Sequence, residues 1–161
     1  MILLEQSLFM GIATTLLFDL WGRLVARLRG TPPPAWKLPG RWFAHLARGR
    51  LCHADISAAA PVRGESAIGW LGHYLTGIVF AAGLLIWQGP AWAAAPTLGP
   101  AMVVGVGTVL LGWLVMSPCM GNGIAASRAP NPWTARGLGL AAHVVFGLGL
   151  WLSALVLAAL G

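Results

Sequence analysis

Charge is what this sequence has least of. Charged residues make up 9% of the chain against 58% hydrophobic ones, where a soluble domain carries roughly 25% charged residues. That shortage excludes a surface able to stay in water. Only four residues are acidic, which removes the paired carboxylates of acid–base chemistry. H-E-x-x-H and G-x-S-x-G are absent, and Gly121-Asn122-Gly123 and Gly105-x-Gly107 lack the strand-to-helix setting of a phosphate loop. The chain therefore reads as a non-enzyme, the alternative being a membrane enzyme that uses His and Arg on lipid-linked substrates. Two cysteines, Cys52 and Cys119, are too few for a secreted disulfide framework. With no C-x-x-C-H, any haem would be held non-covalently.

What is present is long apolar runs. A membrane helix needs about 20 mostly apolar residues, and four segments qualify: Leu3 to Leu24, Ile68 to Trp87, Leu98 to Met116 and Gly137 to Leu160. The expected fold is all-α, one domain over residues 1–161, a four-helix transmembrane bundle. The first span is not a cleavable signal peptide, because its positive charges follow the apolar run. Eight of the ten basic residues (Arg23, Arg27, Arg29, Lys37, Arg41, Arg48, Arg50, Arg63) lie between spans one and two, and Arg128 and Arg136 between spans three and four. By the positive-inside rule those two connections face the cytoplasm and both termini lie outside, across a bacterial inner membrane. Trp21, Trp70, Trp87 and Trp133 fall near span ends as an aromatic belt. The net charge of +6 is read as lipid attraction, not nucleic-acid binding. On this topology both cysteines lie at the reducing face and are expected as free thiols.

The inner connection, about residues 28–67, opens with Thr31-Pro32-Pro33-Pro34, a stiff polyproline exit. It is too rich in Trp, Phe, His and Ala to be disordered and is expected to be structured on the cytoplasmic face. Arg41 to Arg48 reads as two helical turns, with Trp42, Phe43 and Leu46 meeting lipid and Arg41, Arg48 and Arg50 meeting headgroup phosphates. Cys52, His53 and Asp55 read as solvated polar residues, since three ligands within four residues seldom close a metal site. Met116, Cys119 and Met120 with a histidine form a candidate Cu(I) set that matches no strong motif.

Spans two and four share a pattern. Gly69, His73 and Gly77 read G-x-x-x-H-x-x-x-G, as do Gly139, His143 and Gly147. At four-residue spacing each trio lies on one helix stripe, a histidine between two notches. With the weaker rhyme of ISAAAPVRG and IAASRAPNPWTARG, spans one and two read as a parallel repeat of spans three and four. Asp19, inside the first span, needs a partner, either Arg23 one turn on or one of the two histidines. Two readings follow for the histidines. They bond neighbouring helices as packing residues, or with Asp19 they form a proton-accessible or ligand site between spans two and four, opening to the cytoplasm. The ligand would be a b-type haem on His73 and His143, a quinone or another flat hydrophobic molecule. The other classes are a small oligomeric transporter or channel, and an accessory subunit of a larger membrane complex.

The stretches GRWFAHLARGRLCHADISAAAPVRGESAIGWLGHYLTG and GIAASRAPNPWTARGLGLAAHVVFGLGLW resemble an uncharacterised family of small bacterial membrane proteins, classed only as a domain of unknown function. The likeness covers nearly the whole chain. It implies an inner-membrane protein of about four spans and supplies no activity, cofactor or site residues.

Overall fold

The computed structural model describes residues 3–160. Among them the chain is all-helical, and four helices are long and apolar enough to cross a membrane: α1 (Leu3–Arg29), α3 (Glu65–Ala94), α4 (Leu98–Cys119) and α5 (Pro132–Leu160). A shorter helix, α2 (Lys37–Leu46), lies between the first two. The spanning helices outrun the apolar segments read from sequence, because helical hydrogen bonding continues until the backbone is stopped.

The stops are chemical. Helix α1 ends at Gly30, whose φ of 63° is the left-handed conformation glycine adopts without a Cβ clash. Thr31 N–H then bonds the Ala26 carbonyl at 3.0 Å and Gly30 N–H the Arg27 carbonyl at 3.3 Å, a Schellman closure ahead of the three prolines. Helix α2 closes the same way on Gly49, with Arg50 N–H on His45 O at 3.0 Å. It starts at Lys37 rather than Arg41, since Pro39 falls in the first turn, where a missing N–H costs little. In α3, Gly89 is non-helical just before Pro90, so the regular span ends where the sequence placed it. At the start of α5, Asn131 Oδ1 accepts the Thr134 N–H at 3.1 Å and Pro132 takes the first helical position, a standard N-terminal cap.

Two compact units result. One comprises the residues up to Pro34, Tyr74–Gly107 and the residues from Ala141 on; the other comprises Ala35–His73 and Thr108–Leu140. In the first unit α1 is amphipathic in reverse. Leu4, Leu8, Ile12, Leu16, Leu20 and Leu24 repeat every four residues and are exposed, while Ser7, Met10, Gly11, Thr14 and Thr15 are buried. A stripe of exposed leucine is what lipid contact asks for, and small or weakly polar residues are what close helix approach in lipid asks for. The core gathers Met10, Ala81, Leu84, Ala101, Phe146 and Leu150. Gly11 fits against the Ile78 backbone, Gly105 against Gly147, and Gly149 against Thr14. Ser153 Oγ donates to Gly149 O at 2.7 Å within α5 and lies 3.4 Å from Thr14 Oγ1 of α1.

The second unit packs α2 along the start of α3 by the same means. A Cβ on Gly40 would strike the Glu65 carbonyl, one on Gly69 the Trp36 carbonyl, and one on Gly72 the Phe43 ring. Its core is Trp42, Ile56, Cys119 and Met120. Within α4, Gly112–Met116 is wound as a π-turn.

The Gly105–Gly147 approach leaves no room for side chains. Gly105→Val is expected to lower the stability of the detergent-solubilised protein by about 1–3 kcal/mol, read as a drop in Tm. Gly83→Ala, where an added Cβ meets nothing within 4 Å, should leave Tm unchanged or slightly raised.

Candidate functional site

The densest polar chemistry lies in the second unit. Arg41 and His45 are four residues apart on α2 and therefore share a face, and both are buried. Glu65 opens α3, also buried. Arg41 Nε donates to Glu65 Oε2 at 2.8 Å and Nη2 to Oε1 at 3.0 Å, a forked pair. Its Nη1 donates to the carbonyls of Ile56, Ser57 and Ala59. The Val62 N–H also donates to Glu65 Oε2. Withdrawn from water, the guanidinium has its donors met by one carboxylate and three carbonyls.

His45 continues this arrangement. Its Nε2 lies 3.0 Å from the Ala60 carbonyl and its Nδ1 2.8 Å from His53 Nε2. A carbonyl only accepts, so His45 carries its proton on Nε2 and its Nδ1 accepts. His53 must then donate from Nε2, which leaves His53 Nδ1 as a lone pair. That atom is buried and has no hydrogen-bond partner. Burial holds the His53 pKa below the ordinary histidine value, and the charge of Arg50 pushes the same way. Asp55, exposed, takes both the Ser57 N–H and its hydroxyl on Oδ1, and these bonds keep its carboxyl below the usual range.

The segment carrying His53 is tied to the end of α4. His53 N–H bonds Cys119 O at 2.8 Å, Ile56 N–H bonds Met120 O at 3.1 Å, and Gly121 lies directly against the Ala54 carbonyl. This alignment brings Cys52 and Cys119 together as a disulfide, with Cα atoms 4.0 Å apart. The expectation of free thiols is thereby corrected, and so is the Cu(I) set built on Cys119. Met116 and Met120 pack around that cysteine as core residues. Among the described residues, no group of three or more His, Cys, Asp or Glu is arranged to hold a metal ion.

The headgroup expectation is corrected for two residues. Arg41 and Trp42 are each 6% exposed, Arg41 held as above and Trp42 donating from Nε1 to the Leu51 carbonyl at 2.7 Å. Arg48 and Arg50 are exposed. Of the two arginines of the third connection, Arg136 is held by backbone in the same way as Arg41. Arg136 Nε donates to Ala125 O at 2.9 Å, and the Ser117 hydroxyl donates to Gly123 O and accepts the Ala126 N–H. Ala125 and Ala126 are thus held at φ of 49° and 55°, a conformation L side chains rarely adopt.

Of the paired stripes, Gly69 and His73 belong to the second unit. His73 stacks on Trp36, ring centroids 3.6 Å apart, and Gly69 is filled by the Trp36 backbone. Gly139, also there, makes an ordinary contact with Trp113. Gly77, His143 and Gly147 belong to the first unit. Gly77 receives Thr15 of α1 and Gly147 receives Met102 of α4, so the later glycine of each stripe is the notch for the preceding spanning helix. His143 Nδ1 lies 3.1 Å from the Gly105 carbonyl, and its ring meets Phe18 edge-on at 5.9 Å. Asp19, next in chain to Phe18, accepts from the Tyr74 hydroxyl at 3.1 Å.

Sequence reading missed Tyr74, His45, Glu65 and the cysteine pair. The four-residue spacing of Arg41 and His45 signalled a shared face. The partners on that face come from residues 53–65, and no local pattern in the sequence points to them.

Two tests follow. Arg41→Ala strands the Glu65 carboxylate and frees the 56–59 carbonyls, so trypsin should cut at Arg48 and Arg50 much faster than in the wild type. Arg41→Lys, lacking the fork, should protect only partly. The His53 pKa is lowered on folding, so the unfolded chain binds the proton first as pH falls. The stability His53 contributes is full above the ordinary value of about 6.5 and is lost as pH drops toward its folded value. Tm should therefore fall between about pH 7.5 and about pH 5.5, and His53→Gln should flatten that slope.

No curated protein and no solved structure matches the chain. A family model does match, over residues 8–157, a stretch that takes in all five helices described above apart from the outermost residues of α1 and α5. On that match the chain belongs to the family described as a protein of unknown function (DUF2938).

Proposed function

We propose that this is a multi-pass protein of the cytoplasmic membrane, both termini outside, whose helix bundle holds a proton- or ligand-accepting site on His143 and the Asp19–Tyr74 pair, opening to the inner side. One observation carries the reading. His143 Nδ1 faces the Gly105 carbonyl, so in the neutral ring Nδ1 holds the proton and Nε2 is the accepting nitrogen. The same orientation by a backbone carbonyl prepares a histidine to ligate through its other nitrogen. Ionisable residues within spans are costly and mark proton or ligand paths. Both groups belong to the first unit, where Phe18, whose ring meets His143 edge-on, is the chain neighbour of Asp19.

The ligand class is a flat hydrophobic molecule, a quinone or a non-covalent haem. Protein purified from its native membrane in mild detergent should carry such a molecule, seen as a reduced-minus-oxidised absorbance band or by mass spectrometry of an organic extract. His143→Leu should lose at least about tenfold of it, equivalent to about 1.4 kcal/mol, with Tm retained. Wild-type protein that extracts clean and shows no band would sink the ligand reading.

A further inference from the structure

We propose that Cys52 and Cys119 form a reversible thiol–disulfide exchange centre that reacts with an anionic low-molecular-weight thiol. The two cysteines are unequal. Cys52 is exposed, while Cys119 is 7% exposed and sits among Trp42, Ile56 and Met120. Only Cys52 therefore offers its sulfur to an incoming thiolate. The pairing does not depend on the covalent bond. The His53 N–H to Cys119 O and Ile56 N–H to Met120 O bonds, with Gly121 on Ala54, hold the two segments side by side, so the reduced form keeps its sulfurs in register. Arg48 and Arg50, both exposed, precede Cys52 by four and two residues, on either side of the turn at Gly49. Arg50 also acts electrostatically on His53, the residue next to Cys52. The exposed acid nearby, Asp55, is occupied by Ser57. The surface beside the accessible sulfur thus favours an anionic thiol over a cationic one.

The proposal rests on the topology reading, which puts the arginine-rich connections on the inner side. Thiols there are kept reduced, and disulfides that form are usually transient. In the forward step a thiolate attacks Cys52 Sγ, the Cys52–Cys119 bond breaks, and Cys119 leaves as a thiolate that takes up the proton given by the incoming thiol. A second thiol then attacks the mixed disulfide and releases Cys52. Two thiols are oxidised to one small disulfide, and the protein disulfide is reduced by two electrons to a dithiol.

Reduced glutathione is the probe, and alkylation with a maleimide-linked polyethylene glycol is the readout. The purified full chain in detergent should be reduced by glutathione without denaturant. Cys119→Ser treated with oxidised glutathione should form a mixed disulfide at Cys52, and Cys52→Ser should form little at Cys119. Arg48→Gln with Arg50→Gln should slow reaction with glutathione by about tenfold while leaving the neutral 2-mercaptoethanol unaffected. A pair that opens only after denaturation, or adducts at Cys119 alone, would overturn the centre. In acid-quenched cells the pair should be dithiol at rest and disulfide after diamide. A C-terminal alkaline phosphatase fusion separates the two readings. A pair locked as disulfide with an active fusion overturns the exchange centre alone. A locked pair with an inactive fusion overturns the topology and the centre with it.

Discussion

Most of the second unit depends on one constraint, that the Arg41 guanidinium has left water. A buried charge is tolerated when paired and fully hydrogen-bonded, and Arg41 meets that demand with Glu65 and the carbonyls of Ile56, Ser57 and Ala59. Those carbonyls belong to a stretch with no helix to satisfy them, and buried backbone groups need partners. Each side thus supplies what the other lacks. With residues 56–59 anchored, Ala60 O is in place for His45, and Ile56 N–H and His53 N–H are in place for the end of α4. The histidine pair and the cysteine pair both follow from that anchor.

The first unit solves a different problem. Lipid supplies no hydrophobic drive for helix association, so close approach and shape must hold the helices together. The exposed leucine stripe of α1 and its buried Ser7, Thr14 and Thr15 are two faces of that arrangement. The contacts are backbone to backbone at Gly105–Gly147 and Gly11–Ile78. Thr14 and Ser153 approach each other across α1 and α5, and the Ser153 hydroxyl is also satisfied by its own helix. The same small-residue chemistry recurs where α2 lies on α3 through Gly40, Gly69 and Gly72.

The spans, their glycine stops and the Asn131-Pro132 start were legible because each is written in consecutive residues. The glycine stripes were legible as notches, but their occupants were not. Thr15 and Met102 come from other helices and Trp36 from the residue just before α2, and G-x-x-x-H-x-x-x-G states only that room exists. Arg41 misled for a related reason. Beside Trp42 and Phe43 it has the composition of a headgroup anchor, and only Glu65, 24 residues on, turns that face inward. Cys52 and Cys119 are 67 residues apart, and nothing in the spacing announces that their segments run side by side. Tyr74 was overshadowed by His73, although a side chain one position along a helix points about 100° away and answers to a different neighbour.

What the two units share is the way a carbonyl sets an imidazole. Gly105 O faces His143 Nδ1, and Ala60 O faces His45 Nε2. Since a carbonyl has no proton to give, each ring is fixed with its proton toward the backbone and its accepting nitrogen on the opposite side. In the His45–His53 pair the polarity passes through two rings and ends on His53 Nδ1, a buried lone pair. Protonating that buried end adds a positive charge near that of Arg50, which is why burial and the neighbouring charge both hold the ring neutral. A carboxylate partner would have favoured the imidazolium form instead. Glu65, the buried carboxylate of the second unit, is committed to Arg41.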